Sequence, residues 1–62
     1  MKRRDAISFL RKNGCILIRE GARHSIFVNQ ANNKTSTLPR HNEVDDFLFK
    51  KICRDLGIEF KR

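Results

Sequence analysis

Apolar positions along the chain fall into short runs whose spacing changes twice, from helical to alternating and back to helical. Between Arg3 and Asn13, Ala6, Ile7 and Leu10 share one helical face with Phe9 at its flank, while Arg4, Arg11 and Lys12 fall outside it. Asn13-Gly14 predicts a stop, because glycine takes the left-handed cap conformation without steric cost. Cys15 to Arg19 then reads as a strand by length and β-branched content, and Gly21-Ala22 permits a turn. Arg23 to Asn29 predicts a second strand. Alternation puts His24, Ile26 and Val28 on one face and Arg23, Ser25 and Phe27 on the other.

Gln30-Ala31-Asn32-Asn33 predicts a loop, since paired asparagines tolerate left-handed backbone. Lys34 to Leu38 predicts a third strand, ended by Pro39. Asn42 is the expected N-cap of a closing helix, with Asp45 at its third position as in a capping box. Phe49, Ile52, Cys53 and Leu56 repeat at the spacing of one buried helical face, and Gly57 ends it. The order is α-β-β-β-α, an α+β chain. Three antiparallel strands with both helices on one face would form one core and leave the other sheet face in solvent.

Length limits what such a fold can do. The 62 residues form one domain, spanning 1–62. A domain of about 60 residues buries only about 60% of its unfolded surface, so its margin of stability is several kcal/mol. Any active site must be shallow and shared with the surface that binds a partner. Cys15 and Cys53 both fall at apolar positions and make no metal-binding or disulfide pattern, so reduced core thiols are expected. No apolar run approaches the roughly 20 residues of a membrane span and no apolar signal region opens the chain, so a cytoplasmic protein is expected.

Charge changes the picture more. Fourteen Lys and Arg stand against seven Asp and Glu, a formal net charge of +7. The positive charge gathers in Lys2-Arg3-Arg4 and Lys61-Arg62 and recurs at Arg11, Lys12, Arg19, Arg23, Lys34 and Arg40. Such a field favours phosphate backbones, anionic membranes or an acidic protein. The only acidic cluster, Glu43, Asp45 and Asp46, is explained by the positive end of the closing helix. No metal centre and no cofactor motif is expected.

The residue that could carry chemistry is His24. Imidazole can take and give a proton at cellular pH, and RNA is a polyanion with its own nucleophile, the 2′-hydroxyl. Metal-free cleavage needs a base for that hydroxyl and an acid for the leaving 5′-oxygen. From the residues alone, the plainer reading of His24 is a half-buried sheet histidine beside Ile26 and Val28. His41 follows Pro39-Arg40 and stands either near the sheet edge or as a cap on the approach to the last helix. Arg23 could hold a phosphate or stabilise a pentacovalent phosphorus, although alternation sends it to the opposite face from His24. Arg19, Lys34 and Arg40 read as generic backbone contacts. Among the five phenylalanines, Phe9, Phe27 and Phe49 suit the core, and Phe47 suits a partner interface.

The run Phe9-Leu10-Arg11-Lys12-Asn13-Gly14, then Arg19, His24 and Phe27, then Thr37-Leu38-Pro39-Arg40-His41 and the closing Ile52-Cys53-Arg54-Asp55-Leu56-Gly57-Ile58 resembles HicA-like toxins. These are the small mRNA interferases of HicA–HicB toxin–antitoxin pairs. The chain departs from the family where a Gly-Ser-His run is frequent, since Gly21 lies three residues before His24 and Ser25 follows it. Phe47-Leu48 stands where the family often has Gly-Thr.

The resemblance implies a fold like that of double-stranded-RNA-binding domains and a metal-independent endoribonuclease with His24 as its catalytic residue. Arg19, Arg23, Lys34, Arg40 and His41 are the candidate RNA contacts. It also implies a HicB-like antitoxin, whose interface is expected to take in His24 and the partner-facing Phe47. The alternative is a non-catalytic RNA-binding module of the same fold.

Overall fold

A computed structural model describes residues 1–60 of the chain. Its elements run α1 (Arg3–Lys12), β1 (Cys15–Glu20), β2 (His24–Asn29), β3 (Thr35–Pro39) and α2 (Asp46–Leu56). The strands form one antiparallel sheet in the order β1-β2-β3. Ala6 and Leu10 of α1 and Phe49, Ile52, Cys53 and Leu56 of α2 enclose a core with Cys15, Phe27 and Leu38 from the sheet. The fold is the α+β layout that the periodicity predicts.

Alternation along β2 holds as expected. Ser25, Phe27 and Asn29 are buried, while His24 is exposed and Ile26 and Val28 are half-buried on the other face. Asn29 is buried at no net loss of hydrogen bonding, because its amide donates to the Leu56 carbonyl at 2.8 Å. Asn33 takes the expected left-handed backbone, with φ of 61°. Gly57 also lies at positive φ, 74°, and a Cβ there would sit 2.6 Å from Asn32 Nδ2, so any other residue would be strained and would push the Asn32 amide off the Leu56 carbonyl. Phe60, beyond α2, joins Phe9 and Phe49 in edge-to-face contacts with centroids 4.9–5.7 Å apart. Phe9 is thus half-buried at the core's margin.

β1 runs on to Glu20, and β2 and β3 start one residue later than expected, at His24 and Thr35; two further boundaries differ for a specific physical reason. Asn42 does not cap α2. Its carbonyl accepts the Arg3 N–H at 2.8 Å, Glu43 bridges to Lys2, and the Val44 N–H donates to the Met1 carbonyl at 2.7 Å. Residues 42–44 therefore run beside the start of the chain, and the helix begins later. Asp45 is the N-cap instead, accepting the Leu48 N–H at 3.1 Å.

Pro39 also belongs to β3 rather than ending it. The Arg40 N–H donates to the Arg23 carbonyl at 3.2 Å, so the preceding pair, His24 and Pro39, is of the non-hydrogen-bonded kind. The proline nitrogen then faces the free edge, where no ladder bond is lost.

The other edge carries a bulge. Leu17 faces Phe27 and Arg19 faces Ile26, leaving Ile18 as the extra residue of β1. Ile16, Leu17 and Ile18 are 40–53% exposed there.

Candidate active site

The β1–β2 turn is held at several points. The Gly21 N–H donates to the His24 carbonyl at 2.8 Å, and Arg40 Nη1 donates to the Gly21 carbonyl at 3.0 Å. Arg40 Nε lies 3.9 Å from the Glu20 carboxylate. Beneath the turn, Arg3 Nη2 donates to the buried Ser25 Oγ at 2.7 Å, and Arg3 Nε donates to the Pro39 carbonyl at 3.1 Å. Ser25 Oγ in turn donates to Glu20 Oε1 at 3.1 Å, and the same carboxylate oxygen stands 3.9 Å from Arg3 Nη2. One carboxylate therefore lies between two guanidinium groups. Ser25 follows His24 and Pro39 faces it, so Arg3 ties the side chain of the residue after the histidine to the backbone of the residue opposite it.

Above this network His24 opens onto a shallow depression of about 530 Å³, lined by Ala22, Arg23, His24, Pro39, Arg40 and His41. Its wall is basic: among these residues are two arginines, two histidines and no acid. An open bowl of this kind suits a segment of a chain lying across it better than an enclosed small molecule.

The structure brings together some of the candidate residues and separates others. His24 is exposed, against the plainer reading of a half-buried ring. Arg23 shares its depression, against the expectation from alternation, because it sits in the turn just before β2, where the pleat does not govern direction. His41 joins them. Arg40 lines the bowl too, but its guanidinium is engaged with Gly21 and Glu20. Arg19 is exposed on β1 opposite Ile26, outside the bowl but on the same sheet.

Lys34 is not part of the site. Its carbonyl accepts the Asn29 N–H, which places it at the far end of β2, about 17 Å from His24 at the rise of a strand. Phe47 is 83% exposed but lies on the first turn of α2, in the helical layer and outside the depression.

Sequence reading missed Arg3 and Glu20. Arg3 looked like one more charge in a basic run, yet it is a structural tie. Glu20 carried a usable signal: it is the only acid between Asp5 and Glu43 in a strongly basic chain.

Cys15 and Cys53 are free and buried. Burial raises the Cys15 thiol, and burial together with the nearby Cys15 pushes Cys53 up to about 11, so both are protonated at neutral pH. Among the described residues, no three His, Cys, Asp or Glu side chains gather into a group that could hold a metal ion. No helix among them is long and apolar enough to cross a membrane.

A family model described as the HicA toxin of bacterial toxin–antitoxin matches residues 3–58. The chain belongs to the HicA toxin family. The match begins at Arg3, the tie beneath the site, and takes in every strand, both helices and every residue lining the depression. As a HicA-family member the protein has the role of a toxin in a toxin–antitoxin system. Comparisons with curated proteins and with solved structures return no match.

Proposed function

We propose that this HicA-family toxin is an endoribonuclease that cleaves mRNA in the cytoplasm without a metal, with His24 as its proton-transfer residue. The observation that carries the reading is the position of His24, exposed at the start of a strand, in a basic bowl, on backbone tied from below by Arg3. In this mechanism the neutral imidazole removes the 2′-hydroxyl proton and the 2′-oxygen attacks the adjacent phosphorus. The Arg23 guanidinium neutralises the charge that builds on the phosphoryl oxygens. The P–O5′ bond breaks, giving a 2′,3′-cyclic phosphate and a 5′-hydroxyl.

Control has to come from outside, since a bowl this open cannot hide its own histidine. A HicB-like antitoxin of acidic surface covers the bowl in the resting pair, and complementary charge steers its approach. The deciding experiment incubates the purified protein and its His24→Ala variant with RNA. Cleavage by the first and none by an equally folded second is the expected result. Tight RNA binding without cleavage by either would favour a non-catalytic RNA-binding module.

A further inference from the structure

Attack by a 2′-oxygen moves two protons on opposite sides of one phosphorus. One leaves the attacking oxygen and another must reach the departing 5′-oxygen, so one imidazole serves both ends or a second group shares the work. The bowl holds a second imidazole. His41 is exposed and lines it together with His24. Among the described residues, neither ring is taken up by a hydrogen bond or ion pair.

The backbone fixes where His41 stands. On one side of it the Arg40 N–H donates to the Arg23 carbonyl, and on the other the Asn42 carbonyl accepts the Arg3 N–H. Each bond crosses to a distant part of the chain, so His41 is pinned between two fixed points. His24 faces Pro39, and His41 lies two residues further along, just past the end of β3. Beyond β3 these two bonds, and not the pleat, place His41, and it lines the depression together with His24 and Pro39. The two imidazoles therefore border one open depression, where a phosphodiester can lie against both.

The remaining lining residues cannot fill the role. Arg23 stays charged at any cellular pH, so it can neutralise a phosphoryl oxygen but cannot pass a proton, and Arg40 is engaged below. We infer that His41 is the general acid of the cleavage step, an inference that rests on the ribonuclease reading above. His24 takes the proton from O2′, the O2′–P bond forms, the P–O5′ bond breaks, and the His41 imidazolium gives its proton to O5′. Charge and protons balance: His24 ends protonated and His41 neutral.

The test compares two versions of one oligoribonucleotide cleaved by the native protein, with oxygen or sulfur as the bridging 5′ atom at the scissile bond. A thiolate leaves without being protonated. His41→Ala is expected to slow the oxygen ester by about 10²–10⁴-fold yet cleave the sulfur ester within about tenfold of the native rate. His24→Ala should remain slow on both, and His41→Gln should repeat the pattern of His41→Ala. Native cleavage that His41→Ala leaves unchanged, or lowers equally on both substrates, overturns the assignment of His41 alone. Failure of the native protein to cleave either substrate overturns the ribonuclease reading, and this assignment with it.

Discussion

Arg3 donates a 2.7 Å hydrogen bond to Ser25, joining the first turn of α1 to the strand residue that follows His24. The same guanidinium holds the carbonyl of Pro39, which faces His24 across the sheet. A residue from a run that reads as surface charge is therefore the floor of the candidate site. Arg3→Ala should destabilise the protein by about 1–3 kcal/mol, because it leaves buried polar groups short of a partner. Arg3→Lys should restore little, since an ammonium cannot span two acceptors as a planar fork does. Urea unfolding of the two variants checks this, and native-like midpoints would show that the tie contributes nothing.

Cleavage should persist in excess chelator and yield 2′,3′-cyclic phosphate or 3′-phosphate ends with 5′-hydroxyls. The expectation follows from a bowl whose only proton-transfer groups are imidazoles. End-group analysis of the products decides it. A 5′-phosphate would point to an activated water as the nucleophile instead.

RNA affinity should fall with salt. If about three phosphates are neutralised, the log–log slope on single strands is about −2, at roughly −0.7 per phosphate. Arg23→Ala should flatten it by about 0.7, because that cation has no hydrogen-bonded role in the fold and lines the bowl. Lys34→Ala, at the far end of β2, should leave cleavage rates unchanged. Binding titrations over a salt series check the first, and cleavage rates of the variant check the second.

Burial of the two thiols links stability to alkaline pH. Their folded values are raised above the ordinary 9.0, Cys53 to about 11, so the folded state holds protons that the unfolded state has lost. Their contribution is complete below pH 9 and is lost as pH rises towards 11. Unfolding free energy measured from pH 8 to 11 should decline, and less steeply in Cys53→Ala. That variant should itself lose on the order of 1 kcal/mol to the cavity it leaves, and keep its cleavage rate per folded molecule.

The antitoxin and RNA should compete for the bowl. Phe47 stands in the helical layer, so Phe47→Ala should leave RNA cleavage untouched and weaken antitoxin binding only if the partner wraps around to α2. Competition binding with the His24→Ala protein measures both effects. An inhibitor that bound tightly while RNA remained bound would refute a shared face.

Elements set by local pattern were legible in the sequence. The apolar face of α2 and the alternation of β2 follow from spacing alone, and the asparagine pair announced its left-handed loop. Contacts between distant segments were not legible. Asn42 has the chemistry of a cap, but its carbonyl is taken by Arg3, 39 positions away, so the cap passes to Asp45. Arg23 was assigned by pleat to the wrong side because the strand starts one residue later. His24 was found by residue type and resemblance, whereas the Arg3–Ser25–Glu20–Arg40 network beneath it depends on side chains meeting across three segments.

The bond from Arg3 to Pro39 spans 36 positions, and the bowl it supports draws on both sides of the β2–β3 loop. A chain shortened before Thr35 would keep His24 and most of its positive charge, but would lose Pro39, Arg40 and His41 together. Loss of everything beyond the asparagine loop would thus remove one wall of the depression and, with Leu38, Phe49, Ile52, Cys53 and Leu56, much of the core, while leaving His24 in the chain.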